Sequence, residues 1–271
     1  METNFFLDHS LLAMALLIFL LLILVTGVGY KVGRGQGKRT TQAEKLEKTA
    51  GTIAGAMLAL LGFILAISLS MADSHFETRR KLVLDEANAI GTCRLRAMTI
   101  GGSHGAEICR LLTEYARIRT DFFAAGEDPT RLKSVYTQTS DLQGHIWDHA
   151  SAIAAEFPTP ISSLLLSSLN EAFDLATTRR WALEVRVPAY IIYLLLVFAL
   201  LSMGMMGYYF GICGVGHPIL SALLFGAFTI AILLVIDLNK PRSGYIQPEQ
   251  SPLIWLMEEM SGKTPIQSPA R

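Results

Sequence analysis

Apolar residues gather in four long stretches, and a polar segment separates the second from the third. The stretches are Leu11–Val28, Thr49–Ala72, Pro188 to Phe210, and His217–Ile236. A helix needs about 20 apolar residues to cross a bilayer core about 30 Å thick. Backbone facing lipid must satisfy its own polar groups, so each stretch predicts a membrane helix. Gly211, Gly214 and Gly216 punctuate the long apolar tract after Val187 and divide it into a hairpin of two spans. Tyr190, Tyr193, Tyr208 and Tyr209 lie near the ends of the third span, where amphipathic rings settle at an interface.

Residues 73–187 show few windows of period-two alternation, and Gly and Pro cut them into four helical pieces. These run from about Ser74 to Thr99, Ala106 to Ala125, Thr130 to Phe157 and Ile161 to Val187. Short connections between long helices make antiparallel neighbours, so the pieces predict a four-helix bundle. No turn signal separates the second span from the first piece, nor the last piece from the third span apart from Pro188. Both spans are therefore expected to continue out of the membrane as long helices. The fold class is all-α: a membrane hairpin over 1–72, a hydrophilic bundle over 73–187, a second hairpin over 188–236 and a tail over 237–271.

Composition sharpens this picture. Of 271 residues, 51% are hydrophobic and 17% charged, which excludes a disordered chain. Mean hydropathy is +0.40. Acidic and basic residues balance at 23 each, so no overall basic field recruits nucleic acid. From Val187 to Ile236 there is no Asp, Glu, Lys or Arg. The first span has no basic n-region and no A-x-A site after it, so it is expected to be an uncleaved anchor. The 29–48 connection carries Lys31, Arg34, Lys38, Arg39, Lys45 and Lys48, which favours the cytoplasm and puts the bundle outside. Arg79, Arg80, Lys81, Arg179, Arg180, Arg186, Lys240 and Arg242 flank the membrane on the opposite side.

Span two carries the most specific pattern. Gly51, Gly55, Ala59, Gly62, Ala66 and Ser70 form a small-residue stripe that lets helices approach closely. The stripe serves packing against another span of the same chain, or packing around an axis while a second face lines a pore. Phe63, Ile67 and Met71 follow one another at i,i+4 off the stripe, and a ring of them would gate by dewetting. Asp141, His145 and His149 share a helix face, a donor set that suits a divalent metal, although a solvated face is the simpler reading. Arg79 and Arg80 stand where a pore mouth or a lipid interface would use positive charge. Asp237 lies just past the fourth span, where an acid either serves function or ends a helix. Cys93, Cys109 and Cys213 show no metal-binding spacing. Phosphate-loop, nucleophile-elbow and dinucleotide motifs are absent, the bundle carboxylates read as solvated, and no enzymatic activity or cofactor is expected.

Three stretches together resemble the bestrophin-like family of bacterial membrane proteins. They are GAMLALLGFILAISLSMADSHFETRRKLVLDEANAIGTCRLRA, LNEAFDLATTRRWALEVRVPAYI leading into LLSMGMMGYYFG, and LVIDLNKPRSGYIQPEQSPL. In the last, Asp237, Pro241 and Gly244 match a signature of that family. The resemblance implies a multi-pass protein of the inner membrane, distantly similar to bestrophins, which are pentameric anion channels with an apolar neck on the second span. Phe63, Ile67 and Met71 would be the neck positions. The chain departs from animal bestrophins in lacking an acidic calcium belt and the Trp-rich run after span two, where it has Phe76 and Arg79-Arg80. Bestrophins also keep the helical domain in the cytosol, opposite to the loop-charge reading. The expected function is an oligomeric channel for small anions in a lipid bilayer. The alternative is a non-conducting, membrane-anchored interaction or sensor protein acting through its bundle.

Overall fold

The computed structural model describes residues 5–39, 41–216 and 218–262. Its helices are α1 (Phe5–Gly37), α2 (Ala43–Ile100), α3 (Gly102–Ala124), α4 (Pro129–Glu156), α5 (Pro160–Glu184), α6 (Ala189–Cys213), α7 (Pro218–Leu238) and α8 (Ser251–Met260). Among the described residues, four helical stretches are long and apolar enough to cross a membrane: Leu11–Gly37 in α1, Glu44–Ile100 in α2, Pro160–Cys213 over α5 and α6, and Pro218–Leu238, which is α7. His217, expected to open the fourth span, lies outside the described residues. The chain divides into a membrane unit (Met1–Ser74, Arg186–Lys240, Gly244–Ile246) and a bundle unit (His75–Val185, Pro241–Ser243, Gln247–Arg271).

The membrane unit is built on a backbone-to-backbone seam between α1 and α6. A Cβ at Gly29 would lie 2.1 Å from the Gly204 carbonyl oxygen, and one at Gly33 would lie 2.0 Å from that of Tyr208. The reverse holds on α6, where Gly207 meets the Thr26 oxygen at 2.1 Å and Gly211 that of Tyr30 at 2.2 Å. Only residues without side chains permit this approach. Around the seam, Leu22, Leu195, Met203 and Ile232 are fully enclosed, and α2 contributes Leu61 to the same core. Ser202 of α6 donates to the Met57 carbonyl of α2 at 3.2 Å.

The bundle unit packs α3, α4, α5 and the second half of α2 around Ile90, Leu112, Ile146 and Leu165. Helix starts follow from local chemistry. Asp128 caps α4 by accepting from Thr130 and Arg131 ahead of Pro129, and Thr159 forms a capping box with Ser162 on α5.

The second span runs unbroken into its bundle helix, as the lack of a turn signal predicts. The third does not. α5 ends at Glu184, and Val185–Pro188 are not helical. Pro188 drives Val187 into extended backbone. Asn239 secures it, accepting from the Val187 N–H at 2.6 Å and donating to its carbonyl at 3.4 Å. The 29–48 connection is mostly helix rather than loop, since α1 reaches Gly37 and α2 starts at Ala43. The tail also holds more structure than expected. α8 places Leu253 in the bundle core, sets Leu256 against Gly91, and offers the Met257 and Met260 sulfurs to Thr120 and Thr113.

Candidate functional site

Between Lys48 and Asp73, α2 carries no charged residue. One half of its circumference is packed within the chain: Ala54, Leu61, Ser68 and Ala72 are buried. Ser68 hides its hydroxyl by donating to the Ile64 carbonyl at 2.8 Å. The other half is open. Phe63 is 62% exposed and Ile67 45%, and Met71 is half-buried. The small-residue stripe lies on this open half as well. Gly55, Ala59, Gly62, Ala66 and Ser70 are exposed, and nothing stands within 4 Å of a Cβ built at Gly55 or Gly62. Only Gly51 has an in-chain partner, the Tyr209 ring at 2.9 Å from such a Cβ. Among the described glycines the closest span-to-span approach is the α1–α6 seam, and Gly55 and Gly62 of the stripe stay uncovered.

Arg79 is not a mouth charge. It is 1% exposed, and its Nε and guanidinium donate to the Ala182 and Val185 carbonyls at 2.9 and 2.6 Å. Those carbonyls close α5, where the negative end of the helix favours a cation. Arg80 is exposed and pairs only loosely with Glu77 at 3.6 Å, an arrangement worth about 0–1 kcal/mol.

Asp237, in the last turn of α7, braces the turn that follows, which carries Pro241 and Gly244. The Asp237 carboxylate is buried and accepts from the Tyr245 and Ile246 N–H groups at 2.7 and 2.8 Å. A Cβ at Gly244 would sit 2.6 Å from both the Asp237 and Lys240 carbonyl oxygens, so the turn closes only around glycine. Asp237→Ala should lower stability by about 1–3 kcal/mol, because two part-buried amides lose a charged acceptor, and Asp237→Asn should cost less. Thermal unfolding of the detergent-solubilised protein measures this, and an unchanged midpoint for the alanine variant would refute the bracing role.

The bundle conceals a group that helical periodicity assigned to solvent. Glu86 on α2 is fully buried between Arg119 of α3 at 2.5 Å and Arg179 of α5 at 2.6 Å. Arg179 also donates to the Gln250 side chain just ahead of α8. The guanidiniums of Arg119, Arg179 and Arg242 stand 4.7, 5.8 and 4.5 Å from the Phe122 ring centre, where the negative face of the ring offsets some of their excess charge.

Asp141, His145 and His149 do not converge. Asp141 and His145 point to solvent, whereas His149 turns toward His104 of α3, Nδ1 to Nδ1 at 2.8 Å. Among the described residues no three His, Cys, Asp or Glu side chains gather as a metal set. All three cysteines are free, and burial pushes the Cys93 thiol up to about 11.

Residues 11–253 match the bestrophin-like domain family. The chain belongs to the bestrophin-like family. Solved structures agree on the fold of this bestrophin-like chain. A bacterial bestrophin homologue from Klebsiella pneumoniae is 16% identical with a TM-score of 0.64, over 94% of this chain and 99% of that one. A point variant of that homologue is 14% identical with a TM-score of 0.66, over 91% and 98%. No curated protein matches.

Proposed function

We propose that this bestrophin-like chain is one subunit of a homo-oligomeric ion channel. The observation that carries the reading is the open half of α2. The charge-free stretch of α2 between Lys48 and Asp73 leaves Phe63 and Ile67 exposed while its opposite face is packed against its own chain. Arranged around an axis, α2 puts Phe63, Ile67 and Met71 toward the lumen as a hydrophobic neck. The adjoining stripe from Gly55 to Ser70 then meets the neighbouring subunit, where small residues allow close contact. By resemblance to bestrophins the assembly is a pentamer and the permeant ions are small anions. The reading involves no enzymatic step and no cofactor.

Native mass in mild detergent and bilayer conductance test it together. One closed oligomer is expected, and Phe63→Ala or Ile67→Ala should raise conductance several-fold by widening the constriction. A monomer or dimer leaves no axis for a neck, and unchanged conductance in an intact oligomer removes these residues from it. The first result, or an oligomer that passes no ions, would favour the non-conducting anchor; the second would move the constriction elsewhere in the channel.

We also place the protein in the inner membrane with the 29–48 connection in the cytoplasm, on its six basic residues. With four spans, the bundle and the segment after α7 share a side. Alkaline phosphatase fused after residue 262 should then be active. An inactive fusion, with a fluorescent protein at the same point glowing, reverses the orientation and matches the cytosolic bundle of bestrophins.

A further inference from the structure

His104 opens α3 and His149 lies in the last two turns of α4, and both are half-buried. Their Nδ1 atoms stand 2.8 Å apart and their ring planes are tilted by 54°. At that distance an Nδ1–H of one ring can donate to the Nδ1 lone pair of the other, the tautomer setting which is the donor. His104 also lines a cleft of about 510 Å³, walled by Gly101, Glu156, Phe157 and Ile161. The cleft brings solvent to the His104 side of the pair. Channel conduction makes no use of this pair.

We propose that His104 and His149 together bind a borderline divalent cation of the zinc class, which bridges α3 to α4; the proton on the donor Nδ1 moves to that ring's Nε2, so that both Nδ1 lone pairs face the metal. Imidazole nitrogen suits zinc, copper, nickel and cobalt and does not suit calcium or magnesium. With metal–nitrogen distances of about 2.0–2.1 Å and a tetrahedral angle, the two nitrogens stand about 3.3 Å apart. That is half an ångström beyond the present separation and needs only a small ring rotation. Among the described residues no third ligand completes the set, so water from the cleft fills the remaining positions. Glu107, one turn further along α3, is held by Arg110 at 2.7 Å, so its charge is largely taken up by that pair. Glu156 contributes an acid from the cleft wall. The bound ion would add a fastening at the far end of two helices that already pack together through Ile108 and Ile146, and would stabilise the folded bundle by mass action.

The test is calorimetric titration of the full, chelator-treated protein in detergent with Zn²⁺, alongside Co²⁺ absorption. Saturable binding is expected in the parent protein. Losing an outer-shell partner already weakens metal sites about 10–100-fold, so H104Q and H149Q should each weaken binding at least about tenfold. H145Q, at the solvent-facing position one turn away, should bind as the parent does. Absence of saturable binding, or binding that survives H104Q, overturns the proposal, as does loss of binding in H145Q. Zinc-edge X-ray absorption of the unsubstituted protein gives a readout independent of variant folding. Two imidazole ligands are expected, and a spectrum without imidazole scattering refutes the site.

Discussion

Glu86→Ala should unfold the bundle at temperatures where the parent protein is intact. The substitution leaves Arg119 and Arg179, each 2% exposed, without the one carboxylate that lies between them. Removing one member of a buried ionic group costs about 3–5 kcal/mol, since the remaining charge stays desolvated and unpaired. Whole domains are stable by only about 5–15 kcal/mol, so this is a large fraction of the total. Glu86→Gln should fall between parent and alanine variant, because its amide oxygen still accepts from one guanidinium. Arg119→Met should be milder still, as Glu86 and Arg179 then form a neutral pair and the methionine fills the volume. Denaturant unfolding followed by circular dichroism gives the order, and a Glu86→Ala variant within about 1 kcal/mol of the parent would show that water reaches the cluster.

The second large effect is expected at the α1–α6 seam. Gly33→Ala places a methyl 2.0 Å from the Tyr208 carbonyl oxygen, and Gly207→Ala places one 2.1 Å from that of Thr26. Ordinary contact begins at 3.4 Å, so the helices must separate by more than an ångström and lose packing along several turns. Backbone cannot swing aside as a side chain can. Overpacking of this kind costs about 1–3 kcal/mol, and rigid backbone puts these sites at the upper end. Gly27→Ala and Gly35→Ala serve as controls, because nothing stands within 4 Å of either and alanine is the better helix former. Thermal stability in detergent should fall for the first pair and hold for the second. Equal behaviour of all four variants would mean the seam is looser than drawn.

Much of this fold was legible before any coordinates. Four spans, the helix pieces between them and the unbroken passage of α2 follow from hydropathy length and from Gly and Pro punctuation. The break between α5 and α6 was signalled by Pro188 alone, and its partner Asn239 lies too far along the chain for local pattern to reveal. Glu86, Arg119 and Arg179 eluded periodicity because charged residues read as surface until three helices bring them to one point. The seam has a signal in Gly29-x-x-x-Gly33 and Gly207-x-x-x-Gly211, but Gly29 and Gly33 lie past Val28, where the first apolar stretch ends. The stripe on α2 names a close-packing face without saying whose helix it meets. α8 had a signal too, in the spacing of Leu253, Leu256, Met257 and Met260, within a stretch short enough to pass for tail.

The seam also has a consequence for how the protein is made. About 170 residues lie between Gly33 and Gly207, so at about 5–20 residues per second α1 waits roughly 10–35 s for its partner to leave the ribosome. During that interval α1 sits in lipid as a lone, strongly apolar helix with its glycine face uncovered. Its high hydropathy lets it stay inserted unaided, and the same bare face is open to any passing glycine-lined helix. Completion of the membrane unit is thus a late step of synthesis, and nascent chains released before α6 emerges would be the natural targets of membrane quality control.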